Sequence, residues 1–480
     1  MEESWARTEM AGVEVWDQRC RGSLERICEQ VLARPEESFS AACGPGLRQA
    51  GSRIVGAEQM SVEKMVAGHG EQTAQRCQAH AEVIVAQDTT EVNYTTHTGA
   101  RGLGPINGNP DSRGLLLHTA LALTSEGGPL GLLSQESWAR DPATFGTAAQ
   151  RRTRPVAEKE SQKWLTGLAR VAEALPDGPR VVLVQDREAE VFAFLVAPRP
   201  VHIALIVRVC QPRRVAVEAG GEGGPRNVLE AARQAPVVGQ VRVQVPRKPG
   251  QPEREAVLEL AASAVRVKAP RRRTADVPAD SLALWVVRAT ELEPPAGCKP
   301  IEWILLTTLA VDSLASARRC VHYYALRWRV ERFHDPLKQG LHGRAAAVRG
   351  GPCPQKCRSL VFDCGLALVV ADLYGPRAAP SPGHRGVTTA GAAGVGAGHA
   401  GAGRHRPGGH PGPRPVGWLP HEPVGQRTGR QSAVAGVAPA RGYGGRLVAS
   451  LPSLAFYATR LGVDRSPPLR LCVWQTRPGC

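Results

Sequence analysis

Two short apolar runs, each followed by an aspartate, constrain the fold more than any other feature of this sequence. Val83–Ala86 leads to Asp88, and Val181–Val184 leads to Asp186. Apolar runs of this length, bounded by polar residues, are typical of strands that are buried on both faces of a sheet. An aspartate at the end of a strand more often caps a turn than binds a ligand, so neither residue alone indicates a site. The two runs predict core strands of a mixed α/β fold.

The rest of the pattern between residues 81 and 345 completes one α/β domain. Period-2 alternation and apolar runs indicate strands, and 3.6-residue periodicity indicates helices. The further predicted elements are a strand-rich run in Thr89–Thr96, two strands around a Glu-Gly-Gly-Pro turn in Leu115–Trp138, a helix in Glu158–Leu175, a strand in Ile203–Val209, an antiparallel β insertion at about 215–300, a strand in Ile301–Thr308 and a long helix from Ser313.

Residues 1–80 predict a small helical module. Ser23–Pro35 opens with a candidate capping serine, and Ser61–His80 keeps a helical pattern. Arg48 and Arg53 lie between these segments. The module therefore either binds nucleic acid through its basic positions or serves as a cap on the larger domain.

A net charge of +16 is typical of a protein that binds nucleic acid, but here the charge is unevenly distributed along the chain. Residues 341–480 hold 17 basic and 4 acidic residues, so they contribute +13 of that charge. The first 340 residues are close to neutral. Basicity therefore says little about the folded part of the chain.

The segment around Glu331 predicts a helix with two distinct faces. At about 100° per residue, four polar side chains fall within an arc of about 60°, and an apolar arc lies about 120° away from it. The polar arc holds Tyr324, Arg327, Glu331 and Lys338, and the apolar arc holds Leu326, Val330, Phe333 and Leu337. A row of this kind suits a phosphodiester backbone and a metal ion, although a solvated helix face gives the same pattern.

Carboxylates from two core strands and a helix are the usual ligands of hard divalent cations. Mg²⁺ prefers oxygen ligands and is commonly shared with substrate phosphates. Two such ions about 4 Å apart can activate a nucleophile and stabilise the leaving oxygen of a phosphoryl displacement. Asp88, Asp186 and Glu331 have the residue types that this chemistry needs.

Three segments resemble the transposases of bacterial cut-and-paste insertion sequences of the IS-four/Tn-five type. They are QDTTEVNYT around Asp88, VLVQDREAEVFAFL around Asp186, and YALRWRVERFHDPLK. The last matches the Tyr-x2-Arg-x3-Glu-x6-Lys signature at Tyr324, Arg327, Glu331 and Lys338. ARPEESFSAACG, SVEKMVAGH and PPAGCKPIEWILLTT extend the resemblance over about residues 13–345.

The resemblance implies an RNase H-like catalytic domain that binds Mg²⁺, or Mn²⁺ in its place, through Asp88, Asp186 and Glu331. It implies hydrolytic nicking at transposon ends, hairpin formation and resolution, and strand transfer into target DNA by a homodimer. Further roles in DNA binding follow by position. Tyr324, Arg327 and Lys338 would contact phosphates, Arg208 would contact another phosphate, and Trp303 would stack on a flipped base, although a core role is the alternative for Trp303.

The sequence departs from the family in two places. Pro336 lies inside the signature helix, where it removes a hydrogen bond to the carbonyl of Arg332 and costs about 3 kcal/mol. Residues 346–480 are rich in Gly, Pro and Arg, and 25 of the 52 glycines follow residue 340. Such a composition predicts a largely disordered tail. We interpret it as the product of a frameshift that replaces the family's dimerisation region.

Three hypotheses therefore remain at the level of the sequence. The first is an active DDE transposase acting on double-stranded DNA. The second is a catalytically dead or assembly-defective remnant that only binds DNA, and the third is a stand-alone RNase H-like nuclease. An acidic start without a secretory signal and scattered cysteines predict a reduced, cytoplasmic protein associated with the nucleoid and not with a membrane.

Overall fold

The strands that carry the two predicted aspartates lie side by side in one large mixed sheet. The computed structural model describes residues 4–34, 39–60, 62–96, 102–144, 154–216, 224–245, 253–271, 279–339 and 469–470. The first six strands are β1 (Glu82–Asn93), β2 (Gly104–Ile106), β3 (Asn109–Thr124), β4 (Pro129–Trp138), β5 (Arg180–Gln185) and β6 (Ile203–Arg208). Five of them have the spatial order β4-β3-β1-β5-β6, and β2 pairs with β3. The first three of the five are antiparallel, whereas β1, β5 and β6 are parallel.

The register of β1 and β5 determines where the aspartates lie. The parallel pairs run from Glu82–Arg180 to Ala86–Val184, so Asp88 and Asp186 each follow the last pair by two residues. Asp186 comes directly after β5, as predicted. The prediction that a strand ends at Asp88 is wrong, because β1 continues to Asn93 against β3. Asp88 therefore lies within a strand, opposite Thr119.

The alternating segment forms the predicted antiparallel insertion. Its strands are β7 (Val237–Val245), β8 (Arg254–Lys268) and β9 (Ser281–Glu291), followed by β10 (Glu302–Thr307). β10 pairs antiparallel with both β9 and β6, and this pairing joins the insertion to the first half of the sheet. A two-residue strand, β11 (Leu469–Arg470), lies parallel to β7 at the edge. The other residues of the tail at 346–480, for which the composition predicts disorder, lie outside the described ranges.

Helices cover both faces of the sheet. The described helices are α1 (Trp5–Met10), α2 (Gln18–Ala33), α3 (Phe39–Ala42), α4 (Pro45–Gly56), α5 (Val62–Gln78), α6 (Gln162–Ala174), α7 (Phe192–Leu195), α8 (Val228–Gln234), α9 (Leu314–Leu326) and α10 (Trp328–Gln339). On one face, α6 buries Trp164 against the odd-numbered residues of β1 and β5, such as Val85 and Leu183. On the other face, α9 and α10 pack on even-numbered residues such as Ala86 and Val184. Residues 88 and 186 follow this alternation onto the α9–α10 face.

The N-terminal helices have their own core, and a buried polar network connects them to the sheet. The predicted cap at Ser23 is wrong, because α2 begins five residues earlier with Asp17 accepting from the Arg19 amide. Glu9 of α1 accepts from His69 Nδ1 at 2.6 Å and from Arg76. His69 Nε2 in turn accepts from the Leu132 amide of β4 at 3.0 Å. Burial lowers the pKa of His69 against the influence of Glu9, so the ring is neutral and its tautomer follows from these two bonds.

The long helix predicted from Ser313 is present but interrupted at Arg327. Ser313 caps α9 in a capping box with Ser316. The amide of Arg327 donates to Tyr324 and the amide of Val330 donates to Arg327, so the chain tightens locally between α9 and α10. Pro336 does not end the helix, since α10 continues to Gln339. No helix within the described ranges is both long and apolar enough to span a bilayer.

Candidate active site

Asp88 and Asp186 lie on neighbouring strands of the sheet and face the same helices. Their positions follow from the parallel register, because both residues extend it by the same two steps. Asp186 is further fixed by its own turn, where its Oδ1 accepts from the Glu188 amide at 2.8 Å. An aspartate that caps a turn in this way cannot rotate freely. The two carboxylates are therefore held by backbone elements and not by flexible loops.

Arg327 brings the third acid to this edge of the sheet. Its Nη1 lies 3.4 Å from Asp88 Oδ2, and its Nη2 donates to Glu331 Oε1 one turn further along the chain. The Arg327 side chain is 11% exposed and that of Asp88 is 16% exposed. Arg327 stands at the break between α9 and α10, so the irregular turn places its guanidinium between a strand carboxylate and a helix carboxylate. The Arg327 guanidinium thus connects the carboxylates of Asp88 and Glu331.

The acids destabilise one another's charged forms. Burial raises the pKa of Asp88 to about 7, and repulsion from Asp186 and Glu331 adds to this effect although Arg327 opposes it. Burial also raises the pKa of Asp186, with repulsion from Glu188 next in size. Burial likewise raises the pKa of Glu331, again against the influence of Arg327. A single guanidinium therefore does not neutralise the three carboxylates, and the site favours an additional positive charge.

The chemistry of the three side chains fits a hard divalent cation. All donors are carboxylate oxygens, which Mg²⁺ and Mn²⁺ prefer, and burial raises the pKa of each of the three carboxyl groups, so a bound cation would stabilise their charged forms. As they stand, no three His, Cys, Asp or Glu side chains in the described ranges are close enough together to hold an ion. Arg327 occupies the space between two of the three acids.

Tyr324 and Trp303 are buried and contact each other. Tyr324 is 5% exposed and Trp303 is 6% exposed, and their ring centroids are 5.0 Å apart in an edge-on arrangement. Burial raises the pKa of Tyr324, so its hydroxyl is neutral. Both rings belong to the core on the α9–α10 face. Their geometry supports a packing role, and the ring of Trp303 presents little free face to a base.

Arg208 and Lys338 lie at the two ends of this region. Arg208 is the last residue of β6, and its Nη2 donates to the Glu302 carbonyl at 3.3 Å. Lys338 is half-buried on α10, two turns after Glu331. Its charge lowers the pKa of Glu331, an effect smaller than those of burial and Arg327. Lys338 therefore contributes positive charge beside Glu331, whereas the charge of Arg208 acts on the Tyr324 hydroxyl and lowers its pKa against the larger effect of burial.

Sequence reasoning missed two sets of polar residues next to the acids. His334 of α10 is 1% exposed and its Nε2 lies 3.1 Å from Thr119 Oγ1, which belongs to the residue opposite Asp88. Gln185 Nε2 donates to Gln87 Oε1 at 3.1 Å on the opposite face of the sheet. His334 lies three residues after Glu331, and each glutamine precedes one of the aspartates. The helical spacing from Glu331 could have indicated His334, and the alternation of side chains along a strand could have indicated the two glutamines.

No protein-family model matches this sequence. One solved structure to which the chain is similar is a piggyBac transposase in a synaptic complex with hairpin DNA. The two share 11% sequence identity at a TM-score of 0.26, over 71% of this chain and 62% of that transposase. The chain thus spans less than two thirds of that protein, and at this score the function has to be inferred from the residues of this chain alone.

Proposed function

We propose that this protein is a DNA transposase of the IS-four/Tn-five type that cleaves transposon ends with the help of a divalent metal. The observation that carries the proposal is that Arg327 contacts both Asp88 and Glu331. Asp186 follows the last paired residues of β1 and β5 by the same two positions as Asp88. These are the positions that the family resemblance names, although they lie in segments as much as 243 residues apart in the sequence. A solvated helix face would not bury its arginine against a strand aspartate.

The sheet supports the same proposal. An RNase H-like domain needs three antiparallel strands followed by two parallel ones, and the order β4-β3-β1-β5-β6 meets this requirement. The insertion β7–β9 lies between Asp186 and Glu331 in the chain, where the resemblance places it. The domain boundaries at about residues 80 and 345 remain predictions.

The chain's own residues would have distinct roles. Asp88, Asp186 and Glu331 would hold Mg²⁺ or Mn²⁺, which supplies an activated nucleophile and stabilises the leaving oxygen when bound. Arg327 would bind a phosphate with its planar fork, and Lys338 would bind a second one as a point charge. Arg208 would add a third contact at the end of β6. Tyr324 would help to position Arg327, whose backbone amide donates to the Tyr324 carbonyl.

The partners would be the terminal inverted repeats of a transposon and a target duplex. A homodimer belongs to the same proposal, because each active site of the family is expected to cut only when two ends are paired. Stacking of Trp303 on a flipped base, worth about 1–3 kcal/mol, would need the ring to leave its contact with Tyr324.

A second candidate is a transposase remnant that binds DNA without cleaving it. The observation in its favour is that Arg327 is engaged with two of the three acids. The composition of residues 346–480, which have no sustained helical period, favours loss of assembly.

A nicking assay distinguishes the two candidates. The substrate is a duplex carrying the inverted repeat found in the DNA that flanks the gene. The proposal predicts nicking in Mg²⁺ that EDTA and Asp186→Asn each abolish. Binding of that duplex without nicking under any metal condition would establish the remnant instead.

A further inference from the structure

The two residues that precede the aspartates form a hydrogen-bonded pair behind them. Gln185 Nε2 lies 3.1 Å from Gln87 Oε1, and both side chains are fully buried. Because side chains alternate along a strand, the two amides lie on the α6 face while Asp88 and Asp186 lie on the α9–α10 face. One peptide unit separates each glutamine from its aspartate.

The amide pair connects the strands where their backbone ladder ends. The parallel pairs of β1 and β5 stop at Ala86 and Val184, and β1 continues with β3 alone. The next residues on the two strands are Gln87 and Gln185. Their side-chain bond thus holds the strands together immediately before the positions of the acids.

The surroundings of the pair are shaped to admit it. A Cβ atom at Gly167 of α6 would come within 2.7 Å of Gln87 Nε2 and 3.1 Å of His118 Nε2. A side chain at position 167 would therefore displace the Gln87 amide at the present distance of α6. The neighbours on the same face, such as Val85 and Leu183, are apolar and fully buried.

Stability alone does not account for the pair. The bond that the two residues share joins Gln185 Nε2 to Gln87 Oε1, and the other two amide atoms, Gln87 Nε2 and Gln185 Oε1, have no hydrogen-bond partner within the described part of the chain. Buried polar atoms without partners cost free energy, and an apolar pair of the same shape would be close to neutral. A directional bond differs from apolar packing in that it fixes the distance and the angle between two strands.

We propose that Gln87 and Gln185 are positioning residues that set the separation of Asp88 and Asp186 for a shared divalent cation. This inference rests on the proposed metal-dependent function and adds a supporting layer on the opposite face of the sheet. Loss of a group that hydrogen-bonds to a metal ligand typically changes metal affinity by about 10–100-fold, and the glutamines would act on the ligands through the strand backbone instead.

The test is a calorimetric titration of the full chain with Mn²⁺. Gln185→Met leaves one amide unpaired, whereas Gln87→Met combined with Gln185→Met replaces both by apolar chains of similar shape. We expect both variants to bind Mn²⁺ at least about tenfold more weakly. The double variant should keep the wild-type urea midpoint, so it decides the question if the single variant does not fold.

Val85→Ala is the matched control, since it removes packing from the same face of β1 without touching the amides. It should lower stability and leave Mn²⁺ affinity unchanged. If the variant with both glutamines replaced binds Mn²⁺ with an affinity within twofold of wild type, the positioning role is wrong. A wild-type Mn²⁺ isotherm that Asp186→Asn does not alter would instead overturn the metal site itself, and with it both proposals.

Discussion

Arg327 Nη1 lies 3.4 Å from Asp88 Oδ2, so the signature arginine of the helix serves as the counter-ion of a strand carboxylate. The same guanidinium also donates to Glu331. An arginine that contacts phosphate in a DNA complex has to give up at least part of this pairing. Its loss therefore has separable effects on DNA binding and on the charge of the acids.

Arg327→Ala should weaken binding of a transposon-end duplex and flatten its salt dependence. Each neutralised phosphate contributes about 0.9 to the slope of log K against log salt, so one lost contact lowers the slope by about that amount. Binding measured at several salt concentrations gives the slope directly. Arg233→Ala is a suitable control, because Arg233 is exposed on α8 in the insertion. A slope unchanged by Arg327→Ala would place this residue away from the DNA.

The stability of the metal-free protein should fall as pH rises from about 4 to about 7. Folding raises the pKa of Asp88 from its ordinary value of 3.8 to about 7, so between these values the folded state binds more protons than the unfolded state. One such group gives a slope of about −1.4 kcal/mol per pH unit. Asp88→Asn should make the slope shallower without abolishing it, because the pKa values of Asp186 and Glu331 are raised in the same direction.

The measurement is urea unfolding in EDTA at pH 5, 6 and 7. If Asp88→Asn has the same pH dependence as wild type, Asp88 is charged in the folded protein throughout this range. The uncompensated cluster of carboxylates would then not exist as described.

His334→Ala should destabilise the protein by about 2–3 kcal/mol, through a buried cavity and the loss of the contact with Thr119. Burial lowers the pKa of His334 to about 3, so the ring is neutral and the cost should be the same at pH 7 and pH 8. Arg332→Ala, at an exposed position of the same helix, should change stability by less than about 0.5 kcal/mol. Equal effects of the two substitutions in urea unfolding would show that His334 does not anchor α10.

Truncation after Gly343 should remove non-specific, salt-sensitive DNA affinity and leave binding of a single transposon end intact. The removed residues hold all 17 basic side chains of residues 341–480, and clustered arginine attracts any polyanion without a fold. A sizing assay with labelled end DNA compares the truncated and full chains. A stable two-end complex that only the full chain forms would show that the tail contributes to assembly.

The strand pattern was predictable because it is local. The apolar runs at β5 and β10 and the alternation of β7–β9 each depend on residues within one segment. The strand-rich run after Asp88 was also predictable, but its continuity with the apolar run before Asp88 was not. Thr89–Asn93 continue β1 because β3 pairs with both parts, and the sequence does not show this pairing.

The acids were predictable as residues, but their environment was not. Residue types and the family resemblance singled out Asp88, Asp186 and Glu331, although the strand end expected at Asp88 is wrong. The interpretation of the signature as a single helix missed the break at Arg327, which follows from the packing of α9 and α10 on the sheet. The exposure of Trp303 likewise depends on how the next helix, α9, folds back on β10, because this packing brings Tyr324 against the Trp303 ring.

The most direct test of the proposed function is the effect of Glu331→Ala on nicking and binding of the same transposon-end duplex. Glu331 is proposed to bind metal and not phosphate, so the substitution should reduce Mg²⁺-dependent nicking by more than about 100-fold, beyond what an outer partner of the metal costs. Binding measured by gel shift in EDTA should stay within about twofold of wild type. Nicking that survives Glu331→Ala at a rate close to wild type would contradict the assignment of Asp88, Asp186 and Glu331 as one metal-binding active site.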